Sequence, residues 1–463
     1  MAERGHSRKK PSQSAGGGHF GAVAVIIVLL VLAAAILVRI DMGKRDGHRV
    51  AEMDGEKIAG GDEGSVAEEN RDGGSRPEDA KPADPSGPGE STADFSSAPS
   101  SPSTPADTID SRIQDILSRM TLNQKVAQLF IITPEALTGY TTVTRAGDAT
   151  RCALQEYPVG GLIYFSQNLQ TPDQFREMTG ETQEYALALQ GFPLFLSIDE
   201  EGGTVARLAN HSGFGLPRVD TMAGIGAGGD PAKAYEAGSL IGAYLEDFGI
   251  NLNYAPDADV LTNPKNTVVR DRSFGSDPEL VAQMAEAYLK GLEEHRVYGT
   301  PKHFPGHGAT EGDSHMGFAY TGKTWEELEK AELVPFARMI ADGTPFLMAG
   351  HISAPAITGD DTPSSLSRQM LTGYLRDTMG YDGIIITDAL NMGAIQDNYP
   401  SGKAAVMAFT AGADLLLMPA DFKEAYNGIL DAVQNGDVTE KRIDESLTRI
   451  LKVKLEWMES KKG

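Results

Sequence analysis

The chain is poor in cysteine, in basic charge and in the signatures of metal and nucleotide sites. Cys152 is the only cysteine in 463 residues, so no disulfide can close within the chain and no Cys-rich zinc site can form. A lone cysteine of this kind reads as a small buried apolar residue, with no catalytic role. Lys and Arg number 41 against 65 Asp and Glu, a formal charge of -24. Contact with a phosphate backbone needs a basic face, so this balance argues against a nucleic-acid partner. There is no H-E-x-x-H or similar ligand spacing, so no metal is implied. No G-x-x-x-x-G-K-[ST] motif supports a nucleotide cofactor either. Gly202-Gly203 reads instead as a tight turn.

Hydrophobic residues make up 40% of the chain, a little below the globular norm, as expected if part of it is unfolded. The deficit is local. Residues 39–106 are mostly Gly, Ser, Pro, Asp, Glu and Ala, too poor in large apolar groups to offset chain entropy, and read as a disordered acidic linker. Before it, residues 1–19 are small, polar and basic, and residues 20–38 form one apolar run. At about 1.5 Å per residue such a run nearly crosses a bilayer core of about 30 Å. Its length, and the lack of a small-x-small site after it, favour an uncleaved membrane anchor over a cleaved signal peptide. No Cys follows the run, which excludes lipoprotein processing. Basic residues flank both ends, so charge alone leaves the orientation near a draw. A large domain after a short basic start places that domain outside the cytoplasm.

Folded sequence starts near Thr108, within a segment taken as residues 107–463. Apolar runs recur at Val126–Ile132, Gly160–Phe165, Pro193–Ile198, Ile250–Ala255, Val297–Lys302, Pro345–Ala349, Gly383–Thr387 and Ala413–Met418. Between them lie helical patterns such as Pro172–Leu189, Pro231–Phe248, Pro278–His295, Trp325–Ile340 and Leu366–Met379. Near-continuous apolar strands alternating with helices predict a parallel sheet covered on both faces. Eight β/α units in about 350 residues predict an α/β fold of the (β/α)8 TIM-barrel type, with a doubly wound open sheet as the alternative. Val438–Lys461 has the apolar stripe of a terminal amphipathic helix.

Polar residues follow the strand runs, where the working residues of a barrel lie. The third run ends in Asp199-Glu200-Glu201-Gly202-Gly203, with Arg207 beyond. The fourth leads to Asp257 and Asp259, and then to Arg270-Asp271-Arg272. The sixth ends in His351 and the seventh in Thr387-Asp388. The fifth discharges Lys302-His303-Phe304-Pro305-Gly306-His307-Gly308, and Asp313-Ser314-His315 follow. Three histidines, a lysine and an aspartate in a Gly- and Pro-rich loop suggest an active-site rim; a polar surface turn is the bland alternative.

K-H-F-P-G-H-G followed by D-S-H resembles the signature of family 3 glycoside hydrolases, in their β-N-acetylglucosaminidase branch. The resemblance covers Asp107 to the C-terminus and includes Ile386-Thr387-Asp388-Ala389-Leu390-Asn391-Met392, which matches the family's nucleophile motif. It implies a retaining exo-β-N-acetylglucosaminidase acting on terminal GlcNAc of peptidoglycan-type fragments. Asp388 would be the nucleophile, and a helix-capping aspartate is the plain alternative. His315 would be the acid/base, with Asp313 fixing its tautomer and raising its pKa; a surface Asp-x-His contact is the plain alternative there. Glycines 306, 308 and 312 would let the loop swing.

The resemblance also implies that Asp199, Arg207, Arg272, Lys302 and His303 bind the sugar. Asp271 would orient Arg272, and His307 would buttress the loop. Met392 would border the acetamide methyl or, more simply, fill the core. Family members that draw an acid/base Glu from a second domain are less similar, because this sequence continues for one barrel only. Competing functions are a phosphorylase, a β-glucosidase of the same family, and a wall-binding module that has lost activity.

Overall fold

Thr171, Asp230 and Asp277 each stand before a proline, and each accepts a first-turn backbone N–H through its side chain. The cap satisfies an orphan donor, and proline at the first helical position has no N–H to lose. These three devices start the long helices Pro172–Gln190, Pro231–Asp247 and Pro278–Glu293. The computed structural model describes residues 108–461 apart from Asp313, His315 and Met316. The expected membrane span at 20–38 and linker at 39–106 lie outside the described residues. Among the described residues, no helix is long and apolar enough to cross a membrane.

Eight principal strands fall within the eight apolar runs: β1 (Phe130–Ile132), β2 (Gly161–Ile163), β3 (Phe195–Ile198), β4 (Leu252–Asn253), β5 (Tyr298–Gly299), β6 (Phe346–Ala349), β7 (Ile384–Thr387) and β8 (Leu416–Leu417). A six-stranded parallel sheet runs in the order β8-β1-β2-β3-β4-β5, and β6 pairs in parallel with β7. Two parallel bridges join these groups: Phe304, beyond β5, meets Ala349, and Ile386 meets Leu415 just before β8. The protein therefore has an α/β fold on parallel strands, whose C-terminal ends share one side.

Local order departs from the sequence reading at a few places. Val126 and Ala127 end a helix, Leu122–Ala127, started by a capping box between Thr121 and Gln124; the strand begins only at Phe130. The expected helix over 325–340 is split into Trp325–Leu328 and Leu333–Ala341. A wide π-type helix, Gln369–Thr378, replaces the expected α-helix near 366–379. Cys152 is exposed rather than buried: in its helix, Asp148–Glu156, Thr150 and Leu154 carry the buried stripe.

The terminal helix, Glu440–Ser460, buries Ile443, Leu447, Ile450, Leu451 and Leu455. It is also held by charge. Buried Asp414, just before β8, accepts from Ile385 N–H at 3.0 Å and Ser446 Oγ at 2.6 Å. Arg376, Arg442 and Arg449 surround it. Lys454 is fully buried; its Nζ donates to Gln128 Oε1 at 2.9 Å and lies over the rings of Phe192 and Phe195.

Candidate active site

β3 ends at Ile198, and the next three residues divide their side chains between two directions. Glu200 turns into the protein, where it accepts from Leu208 N–H (2.8 Å), Ala209 N–H (2.9 Å) and Tyr244 Oη (2.9 Å). Burial pushes its carboxyl up despite these donors. Asp199 and Glu201, two residues apart, both line a cavity of about 520 Å³ at the strands' C-terminal ends. This is the period-two alternation of extended chain. Gly202 and Gly203 make the tight turn back to Val205, both at positive φ.

Lys302 Nζ lies 3.2 Å from Asp199 Oδ1 and 2.7 Å from Glu201 Oε1. Arg272 grips both oxygens of Glu201, and stands 3.6 Å from Asp257 Oδ2. Burial alone would raise the Glu201 carboxyl, but Arg272 and Lys302 hold it far below the carboxylate range. Arg207 is less committed. Its Nη2 reaches Asp199 Oδ2 at 3.4 Å, its guanidinium lies over Phe165, and its Nε has no hydrogen-bond partner among the described residues.

The Lys302–His303 and Phe304–Pro305 peptide bonds are cis. His303 Nδ1 lies 2.7 Å from Asp259 Oδ2, and Arg272 Nη2 lies 3.4 Å from His303 Nε2. A guanidinium can only donate, so Nε2 accepts and Nδ1 carries the proton. Asp259 Oδ1 also accepts the backbone N–H of His303 (3.2 Å) and of His307 (2.5 Å). Burial opposes its ionisation, but His303 and His307 hold its carboxyl down to about 2.

His307 bonds within the loop, Nδ1 meeting Thr310 Oγ1 at 2.9 Å and Nε2 meeting Ser314 Oγ at 3.2 Å, and it also lines the cavity. Ser314 lines the cavity, and its carbonyl accepts from Ala394 N–H. Asp313 and His315, on either side of Ser314, lie outside the described residues. Gly306 and Gly308 are sites of close approach. A Cβ on Gly306 would stand 2.6 Å from Glu332 Cβ, and one on Gly308 2.0 Å from Val260 O.

Asp388 leaves β7 into the same cavity. Its N–H donates to Ala349 O (2.8 Å) and its Oδ1 accepts from Ala389 N–H (2.8 Å). Burial pushes its carboxyl up, but His351, His303, the Ala389 N–H and Lys302 together bring it below its ordinary value, so it is ionised at neutral pH. It caps no helix, since the next one starts at Gly393 behind Met392. His351, buried at the end of β6, donates through Nε2 to Ala389 O (2.9 Å) and contacts Ser365 Oγ (2.7 Å). Met392 lines the cavity rather than the core.

Asp271 does not orient Arg272; it is half-exposed and pairs with Arg270 at 3.3 Å, and Glu201 performs that task. Glu201 and Asp259 join the site without having been assigned from the sequence; spacing of two from Asp199 along an extended segment is a usable signal for Glu201.

Asp257, Asp259 and His303 bring three ligand-type atoms within 4.8 Å of one another. The Arg272 guanidinium stands against both Asp257 and His303, and a divalent cation there would face it at short range. These residues fit a guanidinium and not a metal.

Residues 121–453 match the family profile described as Glycosyl hydrolase family 3 N terminal domain. The chain is 33% identical over 328 residues to Beta-hexosaminidase A of Pseudoalteromonas piscicida, which covers 66% of this chain and 55% of that protein. It is 33% identical over 299 residues to a Beta-hexosaminidase of Alkalilimnicola ehrlichii, covering 64% and 83% respectively. A solved family 3 beta-N-acetylglucosaminidase from Paenibacillus sp. superposes with a TM-score of 0.69 at 39% identity, over 73% of this chain and 63% of that one. The chain thus spans little more than half of the first relative and under two thirds of that structure. The profile match spans all the cavity-bearing strands, and the chain belongs to glycoside hydrolase family 3.

Proposed function

We propose that the protein is a retaining exo-β-N-acetylglucosaminidase that removes terminal GlcNAc from peptidoglycan-type fragments. The observation that carries this reading is the ionised Asp388 carboxylate at the mouth of β7, sharing one cavity with Ser314 and with the Asp199, Glu201, Arg272 and Lys302 cluster. In the first step an Asp388 oxygen bonds to the anomeric carbon, the bond to the leaving oxygen breaks, and His315 gives that oxygen a proton. In the second, water attacks the glycosyl-aspartate, His315 takes its proton, and Asp388 is released. Asp313 holds the His315 tautomer.

Asp199, Arg207, Arg272, Lys302 and His303 bind the sugar hydroxyls, with Arg207 keeping free donors for that purpose. The ring of strand contacts supports a closed (β/α)8 barrel over an open sheet. The reading includes a membrane anchor at 20–38 and a linker at 39–106 that hold the catalytic segment, 107–463, outside the cytoplasm, where it would meet such fragments. The chain's similarity to proteins named Beta-hexosaminidase supports the hexosaminidase assignment.

The test compares 4-nitrophenyl β-GlcNAc with the β-glucoside, and repeats the assay with Asp388→Ala. Turnover of the first substrate alone, abolished in the variant, is expected. Unchanged turnover by the variant would remove Asp388 from the mechanism, and preference for the glucoside would replace the substrate.

A further inference from the structure

Glu332 precedes the helix Leu333–Ala341, is wholly buried, and makes no helix cap with its side chain. Its Oε1 accepts from both Thr262 Oγ1 and Lys323 Nζ, and Lys323 Nζ reaches Thr262 Oγ1 at 3.2 Å. Its Oε2 is buried with no hydrogen-bond partner among the described residues. A buried carboxylate is costly unless well paired, and an apolar side chain would fill the space at lower cost. Glu332 does not line the cavity, so nothing in sugar binding accounts for it.

Its three contacts frame one segment of chain. Thr262 begins the stretch that holds the near limb. Asn263 N–H donates to Gly308 O (3.0 Å), Asn263 Nδ2 to Thr310 O (2.9 Å), and Asn266 Nδ2 to His307 O (2.8 Å). Gly306, at the base, lies so close to the Glu332 stem that a Cβ there would stand 2.6 Å from Glu332 Cβ. Lys323 lies just beyond the far limb, where Ala319–Tyr320 pairs with Ile352–Ser353 and Thr321 N–H donates to Ser353 O. The two limbs close on each other at Glu311 and Tyr320, which exchange backbone hydrogen bonds of 2.9 and 3.0 Å. Between those two residues the sequence places Asp313 and His315.

We propose that Glu332 is a positioning residue for the proton-transfer step. Bonded to Thr262 and Lys323 and packed on Gly306, it sets the base from which His315 is presented to the leaving oxygen. The role rests on the assignment of His315 as acid/base.

Acid assistance matters most when the leaving group is poor, so the experiment uses phenyl and 2,4-dinitrophenyl β-GlcNAc. It compares wild type, Glu332→Gln, Lys323→Met, His315→Ala, and the Glu332→Gln/His315→Ala double variant, with thermal midpoints to show that each is folded. A positioned general acid contributes about 10²–10⁴-fold. Glu332→Gln is therefore expected to lower kcat/KM for the phenyl glycoside about tenfold, and for the dinitrophenyl glycoside less than about twofold. Lys323→Met should follow the same pattern. In the His315→Ala background, Glu332→Gln should add no further loss, because both act through one group. Equal losses on both substrates, or a further loss in that background, would leave Glu332 a packing residue and overturn the proposal. If His315→Ala itself treats the two substrates alike, the acid/base assignment fails first and the role of Glu332 fails with it.

Discussion

Arg272 meets Glu201 edge to edge, its Nε and Nη2 standing 2.8 and 2.7 Å from the two carboxylate oxygens. Neither side chain has room to relax, since Glu201 is 1% and Arg272 14% exposed. The pair, with Lys302, forms a polar wall of the cavity that Asp388 also lines, and its donors are arranged before substrate arrives. Preorganisation of this kind cuts the cost of ordering on binding.

Glu201→Gln keeps the shape and removes the charge that Arg272 and Lys302 share. Breaking one partner out of a buried pair costs about 3–5 kcal/mol. Urea unfolding should show a loss of that order, and KM for 4-nitrophenyl β-GlcNAc should rise more than kcat falls. An unchanged KM would separate this wall from sugar binding.

The Asp388 carboxyl lies below its ordinary value of 3.8 because His351, His303, the Ala389 N–H and Lys302 outweigh the effect of burial. The acid limb of kcat/KM reports essential groups of the free enzyme. As pH falls, activity should persist until below about pH 4, provided circular dichroism shows the fold intact. An acid limb near pH 6 that moves in Asp388→Glu would mean that the carboxyl is raised and not lowered.

Lys454 gives a stability prediction of opposite origin. Burial depresses its amine well below 10.5, while in the unfolded chain it titrates near about 10.4. Between the two values the unfolded state binds the extra proton, so stability rises with pH through that window and falls as pH drops. Lys454→Met lacks this slope. The urea midpoint of wild type minus that of the variant should therefore increase between about pH 6 and pH 9; a constant difference would show the amine charged in the folded protein.

Asp414 ties the terminal helix to β7 and β8 through Ser446, Arg442 and Arg449 as well as Ile385 N–H. Asp414→Asn leaves three guanidinium groups facing one another and should cost about 3–5 kcal/mol. Activity of the folded fraction at low temperature should be unchanged, because none of these residues touches the cavity. Loss of activity without loss of stability would contradict that separation.

Much of the catalytic proposal was legible locally. Asp388 follows Ile384-Ile385-Ile386-Thr387, and Lys302 and His303 follow an apolar run into a loop of Gly and Pro. Hydrophobic period and turn composition suffice for that, because strand burial and loop exposure are properties of a few neighbouring residues. The eight strand positions were readable for the same reason, as were the long helices with a capping Thr or Asp before proline.

What the amino-acid order by itself determined, then, was where strands end and which side chains they release. Tertiary structure alone decided how those side chains are shared. Glu200 and Glu201 are adjacent and chemically identical, yet one is consumed by Leu208, Ala209 and Tyr244 while the other organises Arg272 and Lys302. Which face of a pleat meets the cavity depends on the neighbouring strands and not on local propensity. Asp259 finds His303 across 44 residues, and the Glu332 stem closes on Gly306 from the start of the helix Leu333–Ala341. Such long-range pairings obey no sequence period, because they are set by the packing of separately folded units against one another.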